Sequence, residues 1–125
     1  MAKDYNHVFC FAVCRCAVSP TGDKLYITNF NQDNVLTLAR DGSVLSIFTD
    51  PELPRPTCVH VTPAGQVLVC GPDSYNILQI DSKGSRKLAT LATKRDGLWS
   101  VCYNSNTDSI IVGMVYNKIL VYKVK

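Results

Sequence analysis

Residues 61–70 read VTPAGQVLVC, and residues 18–27 read VSPTGDKLYI. In both, a proline is followed two positions later by glycine and then by an apolar run. Pro20, Gly22 and Leu25 return as Pro63, Gly65 and Leu68, 43 residues on. Asn34-Val-Leu-Thr-Leu38 returns as Asn76-Ile-Leu-Gln-Ile80 at a spacing of 42, so one loop has lost a residue. Gly42-Ser43 returns as Gly84-Ser85. A third copy follows, with Ile111-Val-Gly113 after Val69-Cys-Gly71 and Ile119-Leu120 after Ile77-Leu78, again 42 apart.

A period of about 40–45 residues holding four short strands marks the blades of a propeller. First strands are expected at residues 15–19, 58–62 and 99–104, and second strands at 24–29, 67–71 and 109–114. Third strands follow at 34–39, 75–81 and 118–124; fourth strands occur only twice, near 44–49 and 86–91. Turn chemistry supports the joints. Ser19-Pro-Thr-Gly22 and Thr62-Pro-Ala-Gly65 carry Pro second and Gly fourth, as a type I turn prefers. Asp41-Gly42 and Lys83-Gly84 supply the positive-φ residue of a tight hairpin. In the third copy Asn104-Ser-Asn-Thr-Asp108 replaces the Pro-Gly turn with other turn formers.

Paired helices are excluded, because the apolar runs are four to six residues long, β-branched and broken by Gly or Pro. A sheet with one wet face would alternate apolar with polar residues. Val67-Leu-Val-Cys70 and Ile110-Ile-Val112 are instead apolar on both faces, as strands covered on both sides are. The expected fold is therefore all-β: a partial β-propeller of about three four-stranded antiparallel blades, the last incomplete. Residues 15–57, 58–98 and 99–125 form the blades. Residues 1–14 match no blade well, and are either a remnant strand of a preceding blade or an accident of where the chain is cut.

The 125 residues suit one domain or part of one, and 46% hydrophobic content is ordinary for a globular core. No apolar run spans a bilayer, and the N-terminus lacks a clean secretory cleavage pattern. The net charge of +3 gives no strong indication of nucleic acid. Six cysteines (10, 14, 16, 58, 70 and 102) show no CxxC spacing, so neither zinc nor a redox motif is implied. Cys58, Cys70 and Cys102 sit in apolar stretches, where a free thiol behaves as a small buried hydrophobe. A cytoplasmic protein with reduced thiols and no cofactor is expected; a secreted disulfide scaffold is the alternative.

The stretches SPTGDKLYITNFNQDNVLTLARDGS, TPAGQVLVCGPDSYNILQIDSKGS and IIVGMVYNKILVYKV together resemble NHL-type repeats. The resemblance, over residues 15–125, is to the C-terminal propeller of tripartite-motif (RING, B-box, coiled-coil) NHL proteins. It implies a platform that recruits protein substrates or RNA for an attached ubiquitin-ligase module. The chain departs from that pattern in holding no RING or B-box array of Cys and His. It also holds under three full blades, where such a propeller usually has about six. Ligase activity therefore lies outside this chain, whose native setting is expected to be a longer polypeptide or a self-associated form.

Nothing signals catalysis. His60 reads as a packed or channel-lining side chain, His7 lies in the unmatched N-terminus, and no nucleophile has a partnered base. Asp23, Asp41 and Asp108 sit in turns, where they have hydrogen bonds to make. Some six-bladed propellers are metal-dependent lactonases or esterases with an axial oxygen cage; the single Glu, Glu52, would supply at most part of one. Trp99 is expected to pack between blades.

In a propeller, the loops from second to third strands emerge on the same face as the joints between blades. That face would carry Asn29, Phe30, Asn31, Tyr75, Tyr116 and Asn117, with Arg55 and Arg95 beside them. Recurring aromatics with cations nearby suit single-stranded RNA. Charge argues otherwise: Arg15, Arg55, Lys94 and Arg95 face Asp33, Asp50, Glu52, Asp73 and Asp96. A near-neutral face suits a protein partner better than phosphate. The same aromatics could equally pad loops between blades.

Overall fold

A computed structural model describes residues 15–71, 73, 76–93, 98–104, 106–114 and 119–123. Among the described residues eleven strands form three antiparallel sheets. The first contains β1 (Cys16–Val18), β2 (Lys24–Asn29), β3 (Asn34–Ala39) and β4 (Val44–Phe48), in that order. The second contains β5 (Cys58–Val61), β6 (Val67–Cys70), β7 (Asn76–Ile80) and β8 (Lys87–Thr93), with the same topology. The third contains β9 (Leu98–Asn104), β10 (Ser109–Met114) and β11 (Ile119–Lys123), with β10 central. The chain is all-β, built as a partial propeller; its one short helix among the described residues is a 3₁₀ turn, Phe30–Gln32. No helix among those residues is long and apolar enough to cross a membrane. Residues 1–14 lie outside the described residues.

The hairpins close as their turn residues require. Gly22 and Gly65 donate their N–H groups to the carbonyls of Ser19 and Thr62, each at 2.9 Å. Both glycines have positive φ, +75° and +86°, which places the following strand without a Cβ clash. The turn acids make the expected hydrogen bonds. Asp23 accepts from the Ser19 and Thr21 hydroxyls, and Asp41 accepts from the Ser43 N–H and hydroxyl. The hydroxyls of Thr21 and then Ser19 hold the Asp23 carboxyl down at about 2. In the third sheet, Asn104 Oδ1 accepts from the Asn106 N–H, and Asp108 pairs with the Tyr103 hydroxyl.

Strand alternation sends successive side chains to opposite faces, and both faces of the middle sheet find a neighbour. Val59, Val67, Val69, Leu78 and Ile80 pack with Tyr26, Val35 and Phe48 of the first sheet and with Leu53 of the joint. Leu68, Cys70 and Ile77 face the other way, onto Val101, Ile110 and Val112 of the third sheet. β1, β5 and β9 run next to one another through the stack, as innermost strands do. Cys58 and His60 project from β5 toward β9. The Val101 N–H donates to Cys58 Sγ (3.2 Å), and the Tyr103 N–H donates to His60 Nε2 (3.1 Å).

The same alternation corrects one expectation. Cys102 is exposed, not buried, because it pairs with Ile111 on the face of the third sheet turned away from the middle sheet. That face also carries Ile119 (71% exposed) and Val121 (62% exposed). The opposite end of the stack shows Val18 and Ile47, both exposed, beside the buried Ile27, Leu36 and Leu38.

The first two sheets are further locked through the turn between β7 and β8. The Tyr26 hydroxyl donates to the Ser82 carbonyl (2.6 Å), and the Ser46 hydroxyl donates to the Gly84 carbonyl (2.7 Å). Between these bonds Gly84, at φ +71°, lies directly on Thr37. A Cβ at that position would sit 1.9 Å from Thr37 Oγ1.

Candidate interaction rim

The joint between the first two blades, residues 49–57, is held at both ends. Leu53 is fully buried in the core between the sheets, and its N–H bonds the Asp50 carbonyl (2.9 Å). Asp50 Oδ1 accepts the Glu52 N–H (2.8 Å), an Asx turn that starts the bend. Further on, the joint backbone lies against Gly71 at the end of β6: a Cβ there would meet the Arg55 carbonyl at 2.5 Å. Glycine at 71 thus lets the joint approach the second blade and sets where Arg55 emerges.

Arg55 is the centre of the rim. It adopts left-handed φ (+49°), and its N–H is caught by Oδ1 of Asp33 (2.8 Å), itself left-handed (φ +54°) at the end of the 3₁₀ turn. Its guanidinium lies over the Phe30 ring at 5.3 Å and 3.6 Å from Asp73. The joint and the loops of two blades therefore converge on one side chain, as the propeller geometry requires. Two non-glycine residues with positive φ held by one hydrogen bond form a pre-set arrangement rather than a loose loop.

Beside it opens a cleft of about 370 Å³ lined by Gln32, Asp33, Thr49, Asp50, Pro51 and Pro54. Asp50 of its lining also belongs to an ionic cluster. Lys87 Nζ lies 2.9 Å from Glu52 Oε1 and 3.6 Å from Asp50 Oδ2, and the Thr90 hydroxyl also donates to Glu52. The Lys87 hydrogen bond, then that of Thr90, pulls the Glu52 carboxyl below its ordinary value; Glu52 in turn raises Lys87. Lys87 thus belongs to the rim, which the linear count of charges omits. Among described residues, Arg55 bonds Asp33 and Asp73 and Lys87 pairs with Asp50 and Glu52, while Arg15 precedes β1 with its N–H on Thr28 Oγ1.

The expected rim residues fare differently. Phe30 is half-buried beneath Arg55, Asn31 is exposed, and Arg55 is exposed with its side chain engaged. Asn29 is only 2% exposed, so its side chain is withdrawn from any partner. Tyr75, Arg95, Tyr116 and Asn117 lie outside the described residues, as do Lys94, Asp96 and the Trp99 side chain. The sequence reading missed Asp33 as an organising residue, and Lys87. An Asp at the end of the Asn-Phe-Asn-Gln loop was a signal for the first; Lys87 had none.

No group of three or more His, Cys, Asp or Glu side chains converges to hold a metal among the described residues. His60 is a structural acceptor. Burial lowers its pKa below 6.5, and only the neutral ring can accept the Tyr103 N–H. Its folded pKa is depressed, so its contribution is present above the unfolded value and is lost as pH falls through the folded one. The melting temperature is therefore expected to decline as pH drops below about 6.5. His60→Gln, which keeps an acceptor without a titration, should flatten that decline; an unchanged slope would place its origin elsewhere.

No family model matches the chain, and no curated protein matches it. Solved structures do. A region of hydrazine synthase from Kuenenia stuttgartiensis aligns with TM-score 0.74 and 21% identity, covering 86% of this chain and 31% of that one. The WD40 β-propeller domain of Doa1 aligns with TM-score 0.69 and 19% identity, over 83% of this chain and 34% of that one. The WD40 repeats of RRP9 align with TM-score 0.71 and 15% identity, over 92% and 39%. The chain thus spans about a third of the structures it resembles. At these identities the likeness shows the fold, a β-propeller.

Proposed function

We propose that the chain is a non-enzymatic binding scaffold that recognises a protein partner through the rim between its first two blades. The observation that carries this reading is Arg55. The joint and two blade loops hold it over Phe30 beside a cleft, and pre-organised aromatic and Arg anchors are typical of binding hot spots. The near balance of charge favours a protein surface over a phosphate backbone. WD40 propeller neighbours support the scaffold class. The finer reading is the C-terminal propeller part of a cytoplasmic tripartite-motif NHL ubiquitin-ligase protein; it rests on the repeat motifs, and a RING and B-box encoded upstream would test it.

RNA is the second reading, favoured by one feature: Phe30 under a guanidinium is a stacking platform of the kind that holds single strands. A fragment of a metal-dependent lactonase-like propeller is a third, and one tightly bound metal ion per purified chain would favour it. Affinity capture with the chain as bait, followed by the double variant Phe30→Ala/Arg55→Ala, separates these readings. Loss of both anchors should weaken a protein partner by at least tenfold, equivalent to about 1.4 kcal/mol, with little change in melting temperature. A partner bound equally well by the variant would move the site away from this rim. Binding that collapses steeply with salt would favour RNA instead.

A further inference from the structure

Cys58 and Cys70 face each other across the ladder of β5 and β6, paired residue to residue. Directly opposed residues have Cα atoms about 4.5–5.5 Å apart, inside the range a disulfide bridges. Both side chains point to the same seam, where Cys70 packs in the core against the third sheet and Cys58 lies at its margin. Both are free thiols, and the Cys70 thiol is the donor toward Cys58. They are not equivalent. Cys70 is fully buried, whereas Cys58 is partly exposed and has a backbone donor aimed at its sulfur, the Val101 N–H at 3.2 Å.

We propose that Cys58 and Cys70 form a reversible oxidation site at the seam between the second and third blades, with Cys58 reacting first with a small hydroperoxide and Cys70 resolving it. In the first step the Cys58 thiolate attacks the peroxide. An S–O bond forms, the O–O bond breaks, and the other oxygen leaves as water after taking a proton. In the second step the Cys70 sulfur attacks the Cys58 sulfenic acid. The S–S bond forms, the S–O bond breaks, and the sulfenic oxygen leaves as a second water with the Cys70 proton. In sum, two thiols and one hydrogen peroxide give one disulfide and two waters.

The surroundings divide the roles. The Cys70 hydrogen bond, then the Val101 N–H and the charge of Arg15, draw the Cys58 thiol down to about 7 against the opposing effect of burial. Cys70 is pushed up, because its proton is shared with Cys58 and it is buried. At neutral pH Cys58 then carries roughly 15-fold more thiolate than an ordinary thiol of pKa about 8.5. Oxidation has a structural consequence at the seam. A bridged Cys58 has no S–H to offer the Val101 carbonyl, now 3.6 Å away, so one of the two links from its sulfur to β9 is lost.

The test treats the 125-residue chain with hydrogen peroxide and maps its cysteines by alkylation and mass spectrometry. The expected product has lost two hydrogen masses, links the peptides carrying Cys58 and Cys70, and is restored by a thiol reductant. Cys70→Ala should trap Cys58 as a sulfenic acid captured by a dione probe, and Cys58→Ala should abolish both products. Cys16→Ser with Cys102→Ser should leave the bridge intact. The wild-type chain gives an independent reading that needs no variant to fold: alkylation of Cys58 should rise with a midpoint near pH 7. A bridge between either thiol and another cysteine, no bridge at all, or Cys58 alkylation following an ordinary thiol would overturn the proposal.

Discussion

Gly84→Ala is expected to unfold the first blade from the second at far lower temperature than the same change at Gly22 or Gly65. Gly22 and Gly65 have similar positive φ, +75° and +86°, with nothing within 4 Å of an added Cβ. Alanine there should cost only the left-handed strain, about 1–2 kcal/mol. Gly84 adds a collision with Thr37 Oγ1 at 1.9 Å and Thr37 Cβ at 3.0 Å, in the turn that Tyr26 and Ser46 tie to the first sheet. Overpacking of a closed seam costs a further ~1–3 kcal/mol, so the total should reach about 2–5 kcal/mol. Among the described residues Thr37 Oγ1 is buried without a hydrogen-bond partner, so Thr37→Ala removes the 1.9 Å collision without breaking a bond and leaves only the 3.0 Å contact with Cβ. Denaturant melts of the four-member cycle should show the double variant recovering more than about 1 kcal/mol. Equal losses in Gly84→Ala and Gly65→Ala would show that the seam can yield.

The second large effect concerns the ends of the stack. Ile119 and Val121 stand exposed on the outer face of the third sheet, and Val18 and Ile47 on the outer face of the first. In a propeller such faces are covered by neighbouring blades. A blade face of four strands, each ~17 Å long and ~4.8 Å apart, offers roughly 300 Å². On the first sheet that face is already closed over Ile27, Leu36 and Leu38, so the third sheet carries the open face, and pairing it between two copies buries on the order of 600 Å², the size of a weak interface. The isolated chain is therefore expected to self-associate weakly, through the outer face of the third sheet, at concentrations above about 10 μM unless a further blade covers that face. Ile119→Lys/Val121→Lys should return it to monomer in sedimentation, and the substitutions should change the monomer's stability by only about 0.5 kcal/mol because both sites are exposed. A wild-type chain sedimenting at 13.8 kDa throughout would show that this face does not drive association.

Most of the secondary structure was legible because its causes are local. The strand Lys24–Asn29 lies between a Ser-Pro-Thr-Gly turn and an Asn-rich loop, and Ser109–Met114 starts directly after the turn formers Asn104–Asp108. The rim was legible in part. Repeat geometry puts the joint and the loops after second strands at one end, so Phe30 and Arg55 could be placed together before their contact was known. Asn29 could not be told from Asn31 on the same grounds, because Asn29 is the last residue of β2, packed in the fold, while Asn31 lies in the 3₁₀ turn that stands out from it.

By itself, then, the sequence determined the repeat, the strands and the turns, since each depends on residues within a few positions of one another. Tertiary structure decided which side of each strand meets which neighbour. Strands with two apolar faces carry no polar side to mark their orientation, so Cys70 and Cys102 look alike in the chain, yet one is buried and the other exposed. Only stacking brings Thr37 onto Gly84, Lys87 onto Asp50 and Glu52, and Cys58 to the β9 backbone. These contacts join residues 35 or more positions apart. They are fixed by how sheets pack in space, which no local pattern encodes.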